Sequence, residues 1–409
     1  MAFNPPVTDA DAIAACKAMI QHGSQVRAAK ALGISRGGLE GRLRMAEARG
    51  LNAHSNVVAE DNPQERIRIL EAELKVHRNA VFDADFIKSQ IIKLDRQLVT
   101  PPNWLLRPKR AFKGAGVPTL FMSDFHWGEV VDPNQIGGVN TYDMTIARER
   151  LRTMVEVSID LLDNHIVSEG GYPGVVVALG GDMVSGDIHE ELSATNEQEM
   201  MPVVVDLWGN LAWALETLAA KYGRVFAVCV TGNHGRNTKK MRAKGRVFTS
   251  FDWLLYQFLA KRFENDPRIK FLIPDGPDAY YSVMGHRYLL THGDQFRGGD
   301  GMIGALGPII RGDHRKRSRN AQIGMEYDTM LMGHWHQLIQ LQRLIVNGSL
   351  KGYDEYANDS NFPYERPRQA LWLTHPEQGI TFSAPVNVDR TLDSKGPAPS
   401  WVAWTDTKA

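Results

Sequence analysis

The sequence predicts an α/β fold behind an all-α N-terminal segment, and three observations predict it. From Val117 onward, short apolar runs alternate with longer helical stretches, the rhythm of strand, helix and strand. Later apolar runs follow one another without helices between them, which points to a layered, mixed architecture. Residues 9 to 50 read instead as three short helices with small, apolar contact residues.

The chain has 409 residues, enough for a large core and an appendage. With 43% hydrophobic and 23% charged residues it has the composition of a globular protein. Its net charge is zero, so affinity for an acidic partner has to come from local patches. Cys16 and Cys229 fall in regions that read as different domains, which suggests a reducing compartment and no disulfide framework. Residues 1–11 lack the basic start and apolar core of a secretory signal. No apolar run approaches the roughly 20 residues that span a bilayer, so a cytoplasmic protein without a membrane partner is expected.

In chain order, residues 1–55 form the first expected domain. A helical linker follows at 56–116, with Ile67, Leu70, Leu74 and Val81 near heptad spacing over 63–98 and His77 interrupting them. That helix either packs on a neighbour or pairs two copies as a homodimer. Pro101, Pro102, Pro108, Gly114, Gly116 and Pro118 mark a stiff joint. Residues 117–390 form the main domain, with strands expected at 117–122, 174–180, 224–230, 269–273, 279–284, 287–291, 327–332, 340–346, 370–374 and 379–383. Helices are expected at 142–168, 196–222 and 247–264, and residues 391–409 form a tail whose Trp401 and Trp404 either dock on the core or bind a partner.

Five of the apolar runs end alike. They lead into Ser123-Asp124-Phe125-His126, Gly181-Asp182, Gly232-Asn233-His234, His292-Gly293-Asp294 and Gly333-His334-Trp335-His336. Metal-competent side chains therefore collect at strand C-terminal ends, where open α/β sheets place their sites. Imidazole, carboxylate and one amide suit a pair of divalent transition metals, Mn first and Fe, Ni or Zn as alternatives, better than Ca. Two such ions about 3.5–4 Å apart can bridge a phosphoryl oxygen and acidify a water.

This ordered set resembles the calcineurin-like metallophosphoesterase superfamily over residues 117 to 350, including the turn at Asn347-Gly348-Ser349. The resemblance implies a four-layer α/β/β/α sandwich. It implies Asp124, His126 and His336 on one metal, Asn233, His292 and His334 on the other, and Asp182 bridging them. It also implies that His234, beside a ligand, protonates the leaving oxygen or steadies the transition state. The family often places an acidic residue after Gly-Asn-His, where this chain has Gly235.

Two basic runs flank the motifs. Arg236, Lys239, Lys240, Arg242, Lys244 and Arg246 follow His234; Arg311, Arg315, Lys316, Arg317 and Arg319 lie between His292 and His334. They are either a solvated surface or a track for a polyanion, with Arg236, Lys239, Lys240, Arg315 and Arg317 as the candidate substrate contacts. The insertion at 296–326 carries Gly298, Gly299, Gly301, Gly304 and Gly307, which suits a mobile lid. His189, Glu190 and Glu191 either line the cleft or begin a solvated helix.

Residues 24–39 resemble a Fis-type helix-turn-helix, with Ala28 and Ala29 for close packing, Gly33 at the turn, Ile34 and Leu39 in the core and Ser35 as cap. Arg27, Arg36, Arg42 and Arg44 would contact DNA. Gly37, Gly38 and Gly41 favour loose phosphate-driven contact over base reading, and the alternative is a module for protein contacts. The expected function is a metal-dependent phosphodiesterase, a DNA nuclease similar to the repair-exonuclease branch and to phage or prophage proteins. The alternatives are a phosphomonoesterase on nucleotides or phosphoproteins, and a DNA-binding regulator with a non-catalytic phosphoesterase scaffold.

Overall fold

The computed structural model describes residues 7–53, 102–108, 113–188, 190–296 and 306–389. The helix expected over 63–98, His189, the glycines at 298–304 and the tail at 391–409 lie outside the described residues. The chain divides into two compact units, Met1–Arg96 and Gln97–Ala409.

In the first unit, α1 (Asp9–His22), α2 (Gln25–Ala31) and α3 (Arg36–Ala48) each begin at a hydroxyl cap, Thr8, Ser24 and Ser35. These side chains satisfy helix N–H groups that have no partner within the helix. Ala15, Ala18, Ala28, Ala29 and Leu39 form the core. Small residues let the three helices approach closely, and Gly33 turns the chain from α2 to α3 at φ 65°.

The second unit contains two sheets. In the first, β1 (Val117–Met122), β2 (Val175–Leu179), β3 (Val225–Cys229) and β4 (Ile269–Leu272) run parallel, and β10 (Arg368–His375) and β11 (Gly379–Asn387) continue antiparallel beyond β1. The second sheet has the order β5 (Asp278–Val283), β6 (His286–Thr291), β7 (Thr329–Met332), β9 (Leu344–Val346), β8 (Ile339–Leu341). β1, β2 and β3 are buried along their whole length, as a parallel sheet covered on both faces requires.

Alternate side chains on each strand serve different layers. Leu120, Val177 and Ala227 pack with α4 (Met144–Asp160), α6 (Met200–Tyr222) and α7 (Phe251–Arg262) through Leu151, Leu207 and Leu255. Phe121, Val176 and Val228 turn the other way and meet Tyr288, Leu290 and Leu331 of the second sheet. Leu289 and Met330 face outward to Ile309 of α8 (Leu306–Gln322). The layer order is helix, sheet, sheet, helix, as the resemblance implies. The short helices α5 (Glu190–Thr195) and α9 (Glu355–Asp359) lie in the connections.

Two expectations are corrected. The run 340–346 is a hairpin of β8 and β9, with Leu341 opposite Leu344; Gln342-Arg343 carries no glycine or asparagine to signal that turn. Residues 306–322, expected within a mobile lid, form a packed helix that buries Ile309, Gly312, Lys316 and Asn320. Its run of arginines hides the helical spacing of that buried face.

Candidate metal centre

The ends of β1, β2 and β3 are in register, Met122 beside Leu179 and Leu179 beside Cys229. Asp124, Asp182 and Asn233 therefore leave neighbouring strands at one edge, while β6 and β7 deliver His292, His334 and His336 from the second sheet. Backbone bonds lock the turns together: Asp124 N–H to Gly181 O at 3.0 Å, His126 N–H to Asp182 O at 3.1 Å and Gly333 N–H to His292 O at 2.9 Å. Among the described residues seven non-glycines have positive φ, and five of them are Asp124, His126, Asp182, His334 and His336. Backbone held in this disfavoured region collects at functional sites, because the surrounding structure must compel it.

Two glycines make room for carboxylates. A Cβ at Gly232 would lie 2.0 Å from Asp182 Oδ1, and one at Gly333 would lie 2.2 Å from Asp124 Oδ2. Any side chain at either position would push a carboxylate out of the centre.

The donor atoms converge in two linked groups. Asp124, His126 and His336 offer atoms within 4.8 Å of one another, and so do Asp182, His292 and His334. Asp182 also groups with His126 and His234, so it joins the two halves. His126 Nε2 stands 3.1 Å from His336 Nε2, His292 Nε2 stands 2.9 Å from Asp182 Oδ2, and Asn233 Oδ1 is 3.2 Å from His292 Nε2. Buried imidazoles and carboxylates crowded this closely have the composition and reach of a two-cation site.

Electrostatics prepare most of these groups for ligation. Burial, with Lys351 and His234 nearby, lowers His126 to about 4, so its ring is neutral at ordinary pH. Burial and the His292 charge lower His334 to about 4 as well. Burial opposes charge on Asp182, but His292 and His234 outweigh it and hold the carboxyl well below its usual range. His292 is the exception: burial disfavours its charge, yet the Asp182 carboxylate raises it to about 10.

His234 sits at the edge of this group, its ring 4.5 Å from that of His126 between centroids. Its backbone N–H donates to Asp182 Oδ1 at 2.7 Å and its ring Nδ1 meets the Ser185 carbonyl at 2.9 Å.

Several supporting residues escaped the sequence reading. Glu129 Oε2 lies 3.1 Å from His126 Nδ1, and Lys351 Nζ ties Glu129 to Asp354 inside the protein. A carboxylate three residues after a candidate ligand was the one available signal. Asp252 was invisible in the sequence because it comes from the start of α7. It accepts the N–H groups of Asp182, Met183 and Gly232 at 3.1, 3.2 and 2.9 Å. A Cβ at Gly235 would lie 2.9 Å from Asp252 Oδ1, so a carboxylate distant in the chain crowds the position after His234.

The basic candidates divide. Arg236 donates to the carbonyls of Thr238 and Asn233 at 3.0 and 2.7 Å and so braces the loop after Asn233. Arg317 binds Asp313 and the carbonyls of Tyr327 and Arg343, and stacks on Tyr327. It faces a different depression, beside Arg287 and Arg343. Lys239, Lys240 and Arg315 are exposed. In the helical unit Arg42 pairs with Asp11 and Arg36 with Glu40, while Arg27 and Arg44 are exposed.

No family model and no curated protein matches this chain. Solved structures similar to it include a zinc complex of Vps29 from Entamoeba histolytica, at 12% identity over 66% of this chain and 100% of that one, with a TM-score of 0.27. A conserved Streptococcus pneumoniae protein, itself a predicted phosphoesterase, is 12% identical over 66% of this chain and 97% of its own, with a TM-score of 0.25. The Thermus thermophilus sulfate thiohydrolase SoxB is 11% identical over 69% and 58% of the two chains, with a TM-score of 0.28.

Proposed function

We propose that this chain is a metal-dependent phosphoesterase that hydrolyses phosphodiester bonds in nucleic acid, DNA first. The observation that carries the reading is the position of Asp182, shared between a group containing His126 and a group containing His292 and His334. Asp124, His126 and His336 would hold one divalent ion, Asn233, His292 and His334 a second, with manganese the first candidate. When bound, such a pair polarises a phosphoryl group and supplies a nucleophilic water.

The protein's own groups then have defined tasks. The Ser185 carbonyl holds a proton on His234 Nδ1, so exchange with a leaving oxygen runs through Nε2. Glu129 Oε2 lies 3.1 Å from the second nitrogen of His126, where the partner of a ligating histidine usually stands. The nucleic-acid part of the reading is supported by the basic residues beside the centre and by α2 and α3, two short helices joined at Gly33, with Arg27 and Arg44 exposed for phosphate contact.

The test is manganese-dependent cleavage of end-labelled single- and double-stranded DNA, with Asp182→Asn as control and released phosphate followed in parallel. Nucleotide or oligonucleotide products from the wild type alone support the reading. Loss of terminal phosphate from intact strands would make the protein a monoesterase, and no turnover with any metal would favour the regulator.

A further inference from the structure

Beside the metal centre lies an open cleft of about 590 Å³, between the loop at 241–246, the start of β5 and one face of α8. Arg242, Arg246, Arg311, Arg315, Lys316 and Arg319 line it, against the single carboxylate of Asp278 among its described wall residues. The floor is tied to the candidate ligand His292 on both sides. Gln295 Nε2 and Lys316 Nζ donate to Thr291 Oγ1 at 2.8 and 3.2 Å, and Arg246 Nη2 donates to Asp294 Oδ1 at 2.7 Å.

The cations have different duties. Lys316 is anchored on Asp278 at 2.6 Å, with Arg319 near the same carboxylate at 3.4 Å. Arg242 and Arg315 are exposed and meet no carboxylate among the described residues. Arg311, Arg315 and Arg319 also recur at every fourth position of α8, so they form one stripe. Like charges at that spacing repel and weaken a helix unless an anion answers them. A cluster of positive charge in an open cleft raises the local concentration of a polyanion.

We propose that this cleft binds backbone phosphates of nucleic acid flanking the scissile phosphodiester, with Arg242 and Arg315 as its principal contacts. The proposal rests on the phosphodiesterase reading for the position of the scissile group. It moves the polyanion track away from Arg236 and Arg317, whose donors are held by backbone carbonyls. Arg242 on the loop and Arg315 on α8 stand on different walls of the cleft, which suits successive phosphates of a strand better than a mononucleotide.

The experiment measures binding of fluorescein-labelled oligothymidylate to the full chain in EDTA, across a salt series. Arg242→Gln with Arg315→Gln should weaken binding about tenfold and lower the salt slope by roughly 1.4, about 0.7 for each lost phosphate contact. Lys221→Gln, a charge removed from the end of α6, should leave affinity unchanged. Equal affinity and slope in wild type and double variant would overturn the proposal. So would competition by thymidine monophosphate as effective as that of the strand at equal phosphate concentration. In manganese, the double variant should lose at least tenfold more turnover on DNA than on bis-p-nitrophenyl phosphate. Because binding is read without metal, an oligonucleotide that binds through these arginines but is never cleaved leaves the cleft standing and removes the phosphodiesterase reading.

Discussion

Glu129 Oε2 stands 3.1 Å from His126 Nδ1, and its other oxygen accepts from Lys351 Nζ at 2.7 Å. A candidate ligand thus has beside it an acid that is itself fixed by a buried cation. Glu129→Gln should weaken metal binding roughly 10- to 100-fold, the usual cost of losing the partner of a ligating histidine. It should also destabilise the fold by roughly 3 kcal/mol, because Lys351 loses half of its compensation inside the protein. Metal titration by calorimetry and a denaturant melt check the two effects separately; unchanged metal affinity would remove Glu129 from the site.

Asp182 joins the two groups of donors, so Asp182→Asn should abolish turnover and lower bound metal below two ions per chain. Elemental analysis of the purified variant decides the second point. Full metal content without activity would mean that Asp182 acts on the substrate instead.

His234→Asn should keep its metal and lose about 10²- to 10⁴-fold in turnover, the range expected for a general acid. A substrate with a very good leaving group should be hydrolysed nearly as well as by the wild type. Full activity on an unactivated diester would exclude the acid role.

The histidines predict how the chelated protein responds to pH. His292 is raised to about 10 in the fold, so its contribution is complete below its ordinary 6.5 and is lost as pH rises toward 10. His126 and His334 are lowered to about 4, so the unfolded chain takes up protons that the folded one refuses as pH falls from 6.5 to 4. Chelated protein should therefore be most stable near pH 6.5, losing stability on both sides. Melts in EDTA across pH check this, and calorimetry in two buffers should find a proton released from His292 when manganese binds near neutrality.

In the helical unit, Arg27→Ala with Arg44→Ala should lower affinity for duplex DNA across all sequences and reduce its salt dependence. Arg42→Ala should act mainly on stability, through the lost contact with Asp11. Anisotropy and melting curves on the three proteins distinguish these outcomes, and unchanged duplex binding in the double variant would favour a protein-contact module.

The order of strands and helices was legible because the apolar runs keep their periods, and each candidate ligand follows a run at a glycine-bearing turn. β1 into Asp124 and β3 into Asn233 can be read directly from the chain. The hairpin at 339–346 and the helix at 306–322 were not, since one turn lacks turn residues and the other's buried face is obscured by arginine.

Local sequence determined which side chains stand at the strand ends, because hydrophobic period and turn chemistry act over a few neighbouring residues. Tertiary structure alone decided what stands behind them. Asp252 reaches Asp182 across 70 positions and Lys351 reaches Glu129 across 222. It also divided the basic residues between those bound to backbone carbonyls, such as Arg317, and those facing the cleft, such as Arg315. Such pairings depend on how whole layers pack, and no local period encodes the distance between two side chains far apart in the chain.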